Sequence, residues 1–102
     1  MKEVKIGNVT FSDKHLGIIA GPCVIEDRDH SIRMANEIKK ISDDIELPII
    51  FKSSFDKANR TSIKSFRGPG IDEGIKILSD VKVETGLPVI TDIHNADQAK
   101  VV

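Results

Sequence analysis

Leu47-Pro48-Ile49-Ile50-Phe51 and, forty residues on, Leu87-Pro88-Val89-Ile90-Thr91 carry the same pattern twice: a leucine leaving a helical stretch, a proline, then three residues entering a strand. Proline cannot continue the helix before it, and the residues after it are apolar or β-branched with no polar alternation, as in strands buried on both faces. Upstream, Leu16-Gly17-Ile18-Ile19-Ala20 has the same character and is stopped by Gly21-Pro22. Three buried strands are therefore predicted.

Working outward, the segments between them read as helices. From Asp29 to Glu46, Met34, Ile38, Ile41 and Ile45 recur at helical spacing, and Asp27 or Asp29 is placed to cap the first turn. From Ile71 to Thr85, Ile71, Ile75, Leu78 and Val81 do the same, after Gly68-Pro69-Gly70 and before Gly86, which stands where a left-handed cap residue belongs. Asn95 or Asp97 can cap a third helix that has barely begun at Val101-Val102. Val4, Ile6, Val9 and Phe11 alternate around Gly7-Asn8, which predicts a hairpin, and residues 1–14 read as a small cap. Alternating strands and helices predict a parallel sheet, doubly wound or barrel-type. A complete eight-unit barrel takes about 250 residues. The expectation is that this is the N-terminal portion of a single (β/α)8 TIM-barrel domain: the hairpin, then the first three strand-helix units over residues 15–102, the third helix truncated.

Composition narrows the function. The chain has 102 residues, 39% hydrophobic and 30% charged, as in an ordinary globular domain. A net charge of −1 and a pI near 6.3 argue against a nucleic-acid partner, as does the absence of Tyr and Trp. Apolar runs of about four residues fall far short of a membrane span, and Met-Lys-Glu-Val-Lys has no signal-peptide core, so a cytoplasmic protein is expected. The single Cys23 rules out an intramolecular disulfide and fits a reducing compartment.

Polar clusters stand at the end of each strand: Gly21-Pro22-Cys23, Lys52-Ser53-Ser54 and Thr91-Asp92-Ile93-His94. In parallel α/β folds that edge is the active-site edge. The segment from Lys52 to Gly70 adds five cations and a run of hydroxyls, which is anion-binding chemistry. Lys52 follows three apolar strand residues and needs an anionic partner, such as a phosphate or carboxylate. Arg60 and Arg67 are forked donors suited either to phosphate or to surface ion pairs, Arg60 being the stronger phosphate candidate. Asp56 reads as a partner for a neighbouring cation or a pin for the loop. Cys23 is either a small buried hydrophobe or, at this edge, a metal ligand, and no nearby base marks it as a nucleophile. His94, two residues from Asp92, would share a strand face with it and suits acid/base work or the orienting of a water, against a purely structural role. His15 and His30 read as surface residues.

Four motifs then carry a family resemblance: Ala-Gly-Pro-Cys at 20–23, Phe-Lys-Ser-Ser-Phe-Asp-Lys-Ala-Asn-Arg at 51–60, Ser-Phe-Arg-Gly-Pro-Gly at 65–70 and Ile-Thr-Asp-Ile-His at 90–94. Together they resemble the 3-deoxy-D-manno-octulosonate-8-phosphate synthases, also called 2-dehydro-3-deoxyphosphooctonate aldolases, over nearly all of this chain but only roughly the first two fifths of the family's barrel. The resemblance implies a transferase, usually a homotetramer, that condenses phosphoenolpyruvate with D-arabinose 5-phosphate and releases phosphate on the way to the Kdo of lipopolysaccharide. It implies that Lys52, Ser54 and Lys57 bind phosphoenolpyruvate, and that Asn59, Arg60 and Thr61 serve arabinose 5-phosphate, Arg60 through its phosphate across a subunit boundary. Thr61 stands where serine is frequent and keeps the hydroxyl. Asp92, His94 and Lys57 are then the catalytic candidates. Cys23 matches the metal-dependent class and implies a divalent metal, with iron, zinc, manganese, cobalt and cadmium all compatible. Further ligands and phosphate-binding residues of the family lie beyond Val102, so this piece is expected to be inactive alone. Two other readings stand beside this one. The related 3-deoxy-D-arabino-heptulosonate-7-phosphate synthases share Ala-Gly-Pro-Cys but carry Lys-Pro-Arg-Thr where Lys-Ala-Asn-Arg stands here, and a non-catalytic sugar-phosphate-binding or assembly module could keep the cations without chemistry.

Overall fold

A computed structural model describes residues 2–57 and 66–102. The chain opens with the hairpin: β1 (Val4–Ile6) pairs antiparallel with β2 (Val9–Phe11), Val4 opposite Phe11 and Ile6 opposite Val9. Gly7 makes the turn at φ 59°, and a Cβ there would sit 2.7 Å from the Pro88 ring. The Phe11 ring likewise lies against Gly17. The hairpin thus folds across the N-terminal end of the main sheet, where the strand-entry prolines lie.

That sheet is parallel, in the order β3 (Ile18–Ala20), β4 (Ile49–Lys52), β5 (Val89–Ile90). Ile19 stands opposite Ile50, Phe51 opposite Ala20 on one side and Val89 on the other. β4 and β5 begin after their prolines, which have no N–H for a ladder, and β3, with no proline ahead of it, begins after Gly17. Leu16, expected in the first strand, lies outside it and is 73% exposed. Strand order follows chain order with no reversal, and helices α1 (Arg28–Ile45) and α2 (Ile71–Thr85) pack against each other beside the sheet. This is a mixed α/β arrangement built of strand-helix-strand units.

Alternation along the strands separates two faces. Ile18, Ala20, Ile49, Phe51 and Val89 join the helix-facing core with Ile25, Ala35, Ile38, Phe55, Ile77, Leu78, Val81 and Leu87. Ile19, Ile50 and Ile90 fall on the opposite face, where Gly21, Lys52 and Asp92 come next.

The helix ends follow their local chemistry. Asp27 caps α1, its Oδ1 accepting from the His30 N–H at 2.7 Å. Glu46 ends it in the left-handed conformation at φ 55°, and Gly86 ends α2 in the same way at φ 76°. Asn95 caps α3 (Ala96–Val101) by accepting from Gln98 N–H. The buried face of α1 differs from the expected one. Ser31, Ala35, Ile38 and Ser42 face inward, whereas Ile41 and Ile45 are about half exposed and Met34 is intermediate. Small residues let α1 approach closely, and the Ser42 hydroxyl is satisfied by the Leu47 carbonyl at 2.6 Å, so the inward face is set by fit and not by the most apolar stripe. On α2, Gly74 performs the corresponding service, since any Cβ there would strike the Phe55 side chain. His30 is half-buried, not a surface residue, with Nε2 3.0 Å from Glu26.

Candidate active site at the C-terminal sheet edge

Beyond Ala20 the first strand does not leave its neighbour. Gly21 passes so close to the Lys52 carbonyl that no side chain fits between them, and pairing resumes where Ser54 N–H donates to the Cys23 carbonyl at 3.3 Å and Ile25 N–H donates to the Ser54 carbonyl at 2.9 Å. The fully buried Ser53 fastens the same turn, its hydroxyl donating to the Pro22 carbonyl at 2.8 Å. Two strand ends are thereby locked side by side, and Cys23 is held at their edge with its residue exposed.

The third strand end is tied in through side chains. Ser54, fully buried, donates its hydroxyl to Asp92 Oδ1 at 2.6 Å. Burial alone works to raise the Asp92 carboxyl, but the Ser54 hydroxyl, a backbone N–H, the positive charge of Lys52 and the neighbouring His94 ring together outweigh it and hold the group below its ordinary value. Asp92 is therefore an anion at neutral pH, facing Lys52. By strand alternation Lys52, Ser54 and Asp92 continue the face of Ile50 and Ile90.

His94 lies past the end of β5, so strand alternation no longer governs it. Its ring contacts Phe55 with centroids 5.8 Å apart, and Nε2 lies 2.7 Å from the Asp56 carbonyl. A carbonyl only accepts, so Nε2 carries the proton and Nδ1 is the nitrogen that can take one up. The Gln98 side chain accepts from the His94 N–H at 2.7 Å and fixes the turn. Asp56 in turn receives Arg67 through both oxygens, Nε at 2.6 Å and Nη2 at 3.2 Å, and this pairing raises the guanidinium above its ordinary pKa. Arg67, left open by the sequence between phosphate and ion pair, is thus an ion-pair residue. Lys57 follows immediately, its N–H donating to the Arg67 carbonyl at 2.6 Å.

The structure accordingly brings Cys23, Lys52, Ser54, Lys57, Asp92 and His94 to one edge of one sheet. Asn59, Arg60 and Thr61 lie outside the described residues. Two participants escaped the sequence reading. Ser53 stands in the sequence only as part of the Lys52-Ser53-Ser54 cluster and Phe55 only inside the 51–60 motif; the spacing of four between Phe55 and Phe51, both on the core-facing side, is the available signal. Among the described residues, no three His, Cys, Asp or Glu side chains gather closely enough to hold a metal ion.

The profile of the DAHP synthetase I family matches residues 2–102. The chain belongs to this family. Among curated relatives, the 2-dehydro-3-deoxyphosphooctonate aldolases of Brucella ovis, Brucella canis and Brucella suis are each 50% identical to it over 100 residues, covering 97% of this chain and 36% of theirs. The chain spans little more than a third of the length of the relatives that it matches. Within the DAHP synthetase I family, the resemblance to the octulosonate-phosphate enzymes read from the motifs is therefore upheld by close relatives of that name. In this member of the family no helix among the described residues is long and apolar enough to cross a membrane.

Proposed function

We propose that this chain is the N-terminal portion of a (β/α)8 barrel that condenses phosphoenolpyruvate with D-arabinose 5-phosphate, giving 3-deoxy-D-manno-octulosonate 8-phosphate and inorganic phosphate. The observation that carries the reading is the gathering of Lys52, Asp92 and Cys23 around the Ser54 hydroxyl and backbone at the C-terminal sheet edge. A cytoplasmic homotetramer serving lipopolysaccharide synthesis belongs to the same proposal.

In this scheme Lys52 and Lys57 hold the carboxylate and phosphate of phosphoenolpyruvate, and Asn59, Arg60 and Thr61 hold the sugar phosphate. C3 of the enol phosphate attacks the pentose aldehyde, water adds at C2 where positive charge develops, and phosphate leaves from the resulting hemiketal by carbon–oxygen cleavage. Asp92, kept ionised by Ser54, stabilises that positive charge, and Nδ1 of His94 takes or returns a proton. Holding two anionic substrates in contact is the larger part of the catalytic task.

A divalent metal enters only as far as Cys23, whose exposed thiol offers one sulfur donor. The described residues do not by themselves fit a metal site, and no step above runs through one. The test is phosphate release by the full-length protein with phosphoenolpyruvate and either arabinose 5-phosphate or erythrose 4-phosphate. Turnover with the pentose phosphate is expected. Turnover only with the tetrose phosphate assigns the heptulosonate reaction instead, and binding of both substrates without turnover would sink the enzymatic reading.

A further inference from the structure

Residues 55–57 and 67–70 run side by side, and the bonds between them are of two kinds. Lys57 N–H donates to the Arg67 carbonyl at 2.6 Å and Gly70 N–H to the Phe55 carbonyl at 3.0 Å, while Arg67 grips both oxygens of Asp56 from the other strand of this neck. The same short segment also seats His94, through the Asp56 carbonyl and the Phe55 ring. We infer that the Asp56–Arg67 clasp is a positioning device that sets Lys57 and His94 relative to each other at the site, and that Arg67 is committed to Asp56 and not to a substrate phosphate.

Geometry supports positioning over stability. The Arg67 side chain is 57% exposed, and an ion pair in that setting adds little to folding, whereas a two-pronged guanidinium-carboxylate contact fixes direction as well as distance. Asp56 directly precedes Lys57, so holding its side chain on Arg67, together with the Lys57–Arg67 backbone bond, restrains the main chain that carries the Lys57 amine. The Asp56 carbonyl is the His94 acceptor, so a shift of that main chain displaces the imidazole's partner as well. A backbone hinge of this kind transmits a displacement to two functional groups at once, and a misplacement of about 1 Å in such groups can cost on the order of a hundredfold in rate.

The inference rests on the condensation reading, and the experiment separates the two. In the full-length protein, wild-type turnover with phosphoenolpyruvate and arabinose 5-phosphate tests that reading alone. Asp56→Asn, Arg67→Gln and the exchanged pair Asp56→Arg with Arg67→Asp test the clasp. Each single variant is expected to raise KM for phosphoenolpyruvate roughly tenfold and to shift the His94 ring titration seen by NMR, with the melting temperature nearly unchanged. The exchanged pair is expected to recover part of both, as coupled neighbours do. The clasp is refuted if the single variants keep wild-type KM and His94 titration, or if the exchanged pair loses as much as the two single losses combined. Should wild type itself not turn over, the His94 titration still decides the clasp.

Discussion

The Ser54 hydroxyl is spent on Asp92 at 2.6 Å from a fully buried position, so its first effect is on the state of that carboxylate. Removing it with Ser54→Ala should cost about 1 kcal/mol in stability, the ordinary net worth of such a bond. It should also move the Asp92 pKa upward, because burial, which favours the neutral acid, then meets less opposition. The sign for stability follows. A carboxyl held below its ordinary value contributes stability that is complete above that value and is lost as pH falls through the lowered one, so the variant should lose this contribution at a higher pH than the wild type. Carboxyl carbon-13 NMR titration of Asp92 in the two proteins checks the direction, and an unmoved or lowered value in the variant contradicts it. The sequence showed that Asp92 and Ser54 end neighbouring strands. It could not show their contact, because a pair 38 residues apart depends on strand register, which is fixed only in the folded sheet. The same holds for Asp56 and Arg67, eleven residues apart, where the sequence offered Arg67 several partners.

Helix ends were legible, as was the inward face of α2 through Leu78 and Val81, while the face of α1 was not, and the reason is one of range. A cap is decided by the few residues around it, so Asp27, Asn95 and Gly86 each do what their chemistry dictates. The face of α1 is decided by what it packs against, and there Ser31, Ala35 and Ser42 displaced Ile41 and Ile45. Two nearly equivalent helix exits allow the local chemistry to be tested by substitution. Glu46 and Gly86 precede the repeated Leu-Pro pattern and both are left-handed, but only Gly86 adopts that conformation without steric cost. Glu46→Gly should therefore stabilise the full-length protein by about 0.5–1 kcal/mol, and Gly86→Ala should destabilise it by about 1 kcal/mol. A Cβ at Gly86 meets no atom within 4 Å, so the second change isolates the backbone term. Thermal midpoints read both, and a fall on Glu46→Gly would mean that the glutamate side chain makes a contact worth more than the backbone penalty. Asp27→Ala, which leaves the His30 N–H without its cap, should cost about 1 kcal/mol by the same measurement.

For the molecule as a whole, charge decides what this segment can do by itself. Among the described residues at the sheet edge, Lys52 and Lys57 bring two positive charges and Asp92 removes one, while Arg67 is neutralised by Asp56. That surplus of one must face two phosphate groups and a carboxylate, which repel one another at the distance needed for carbon–carbon bond formation. Arg60 and Lys64 of the same segment add at most two more cations and still leave the substrates in excess. The sheet is equally incomplete as a container. A cavity of about 460 Å³ opens beside β5, lined by Ile75, Leu78, Val89 and Ile90, and Val83 and Leu16 stand largely exposed. That cavity is not the site itself, but Lys52 and Lys57 at the C-terminal edge are only half-buried, and solvent there weakens every attraction that they exert. The 102-residue chain on its own should therefore bind an apolar dye through its uncovered faces and release no phosphate above background from phosphoenolpyruvate and arabinose 5-phosphate, with or without added divalent metal. Sustained metal-stimulated turnover by the isolated chain would show that three strand ends suffice, and would overturn the charge argument with it.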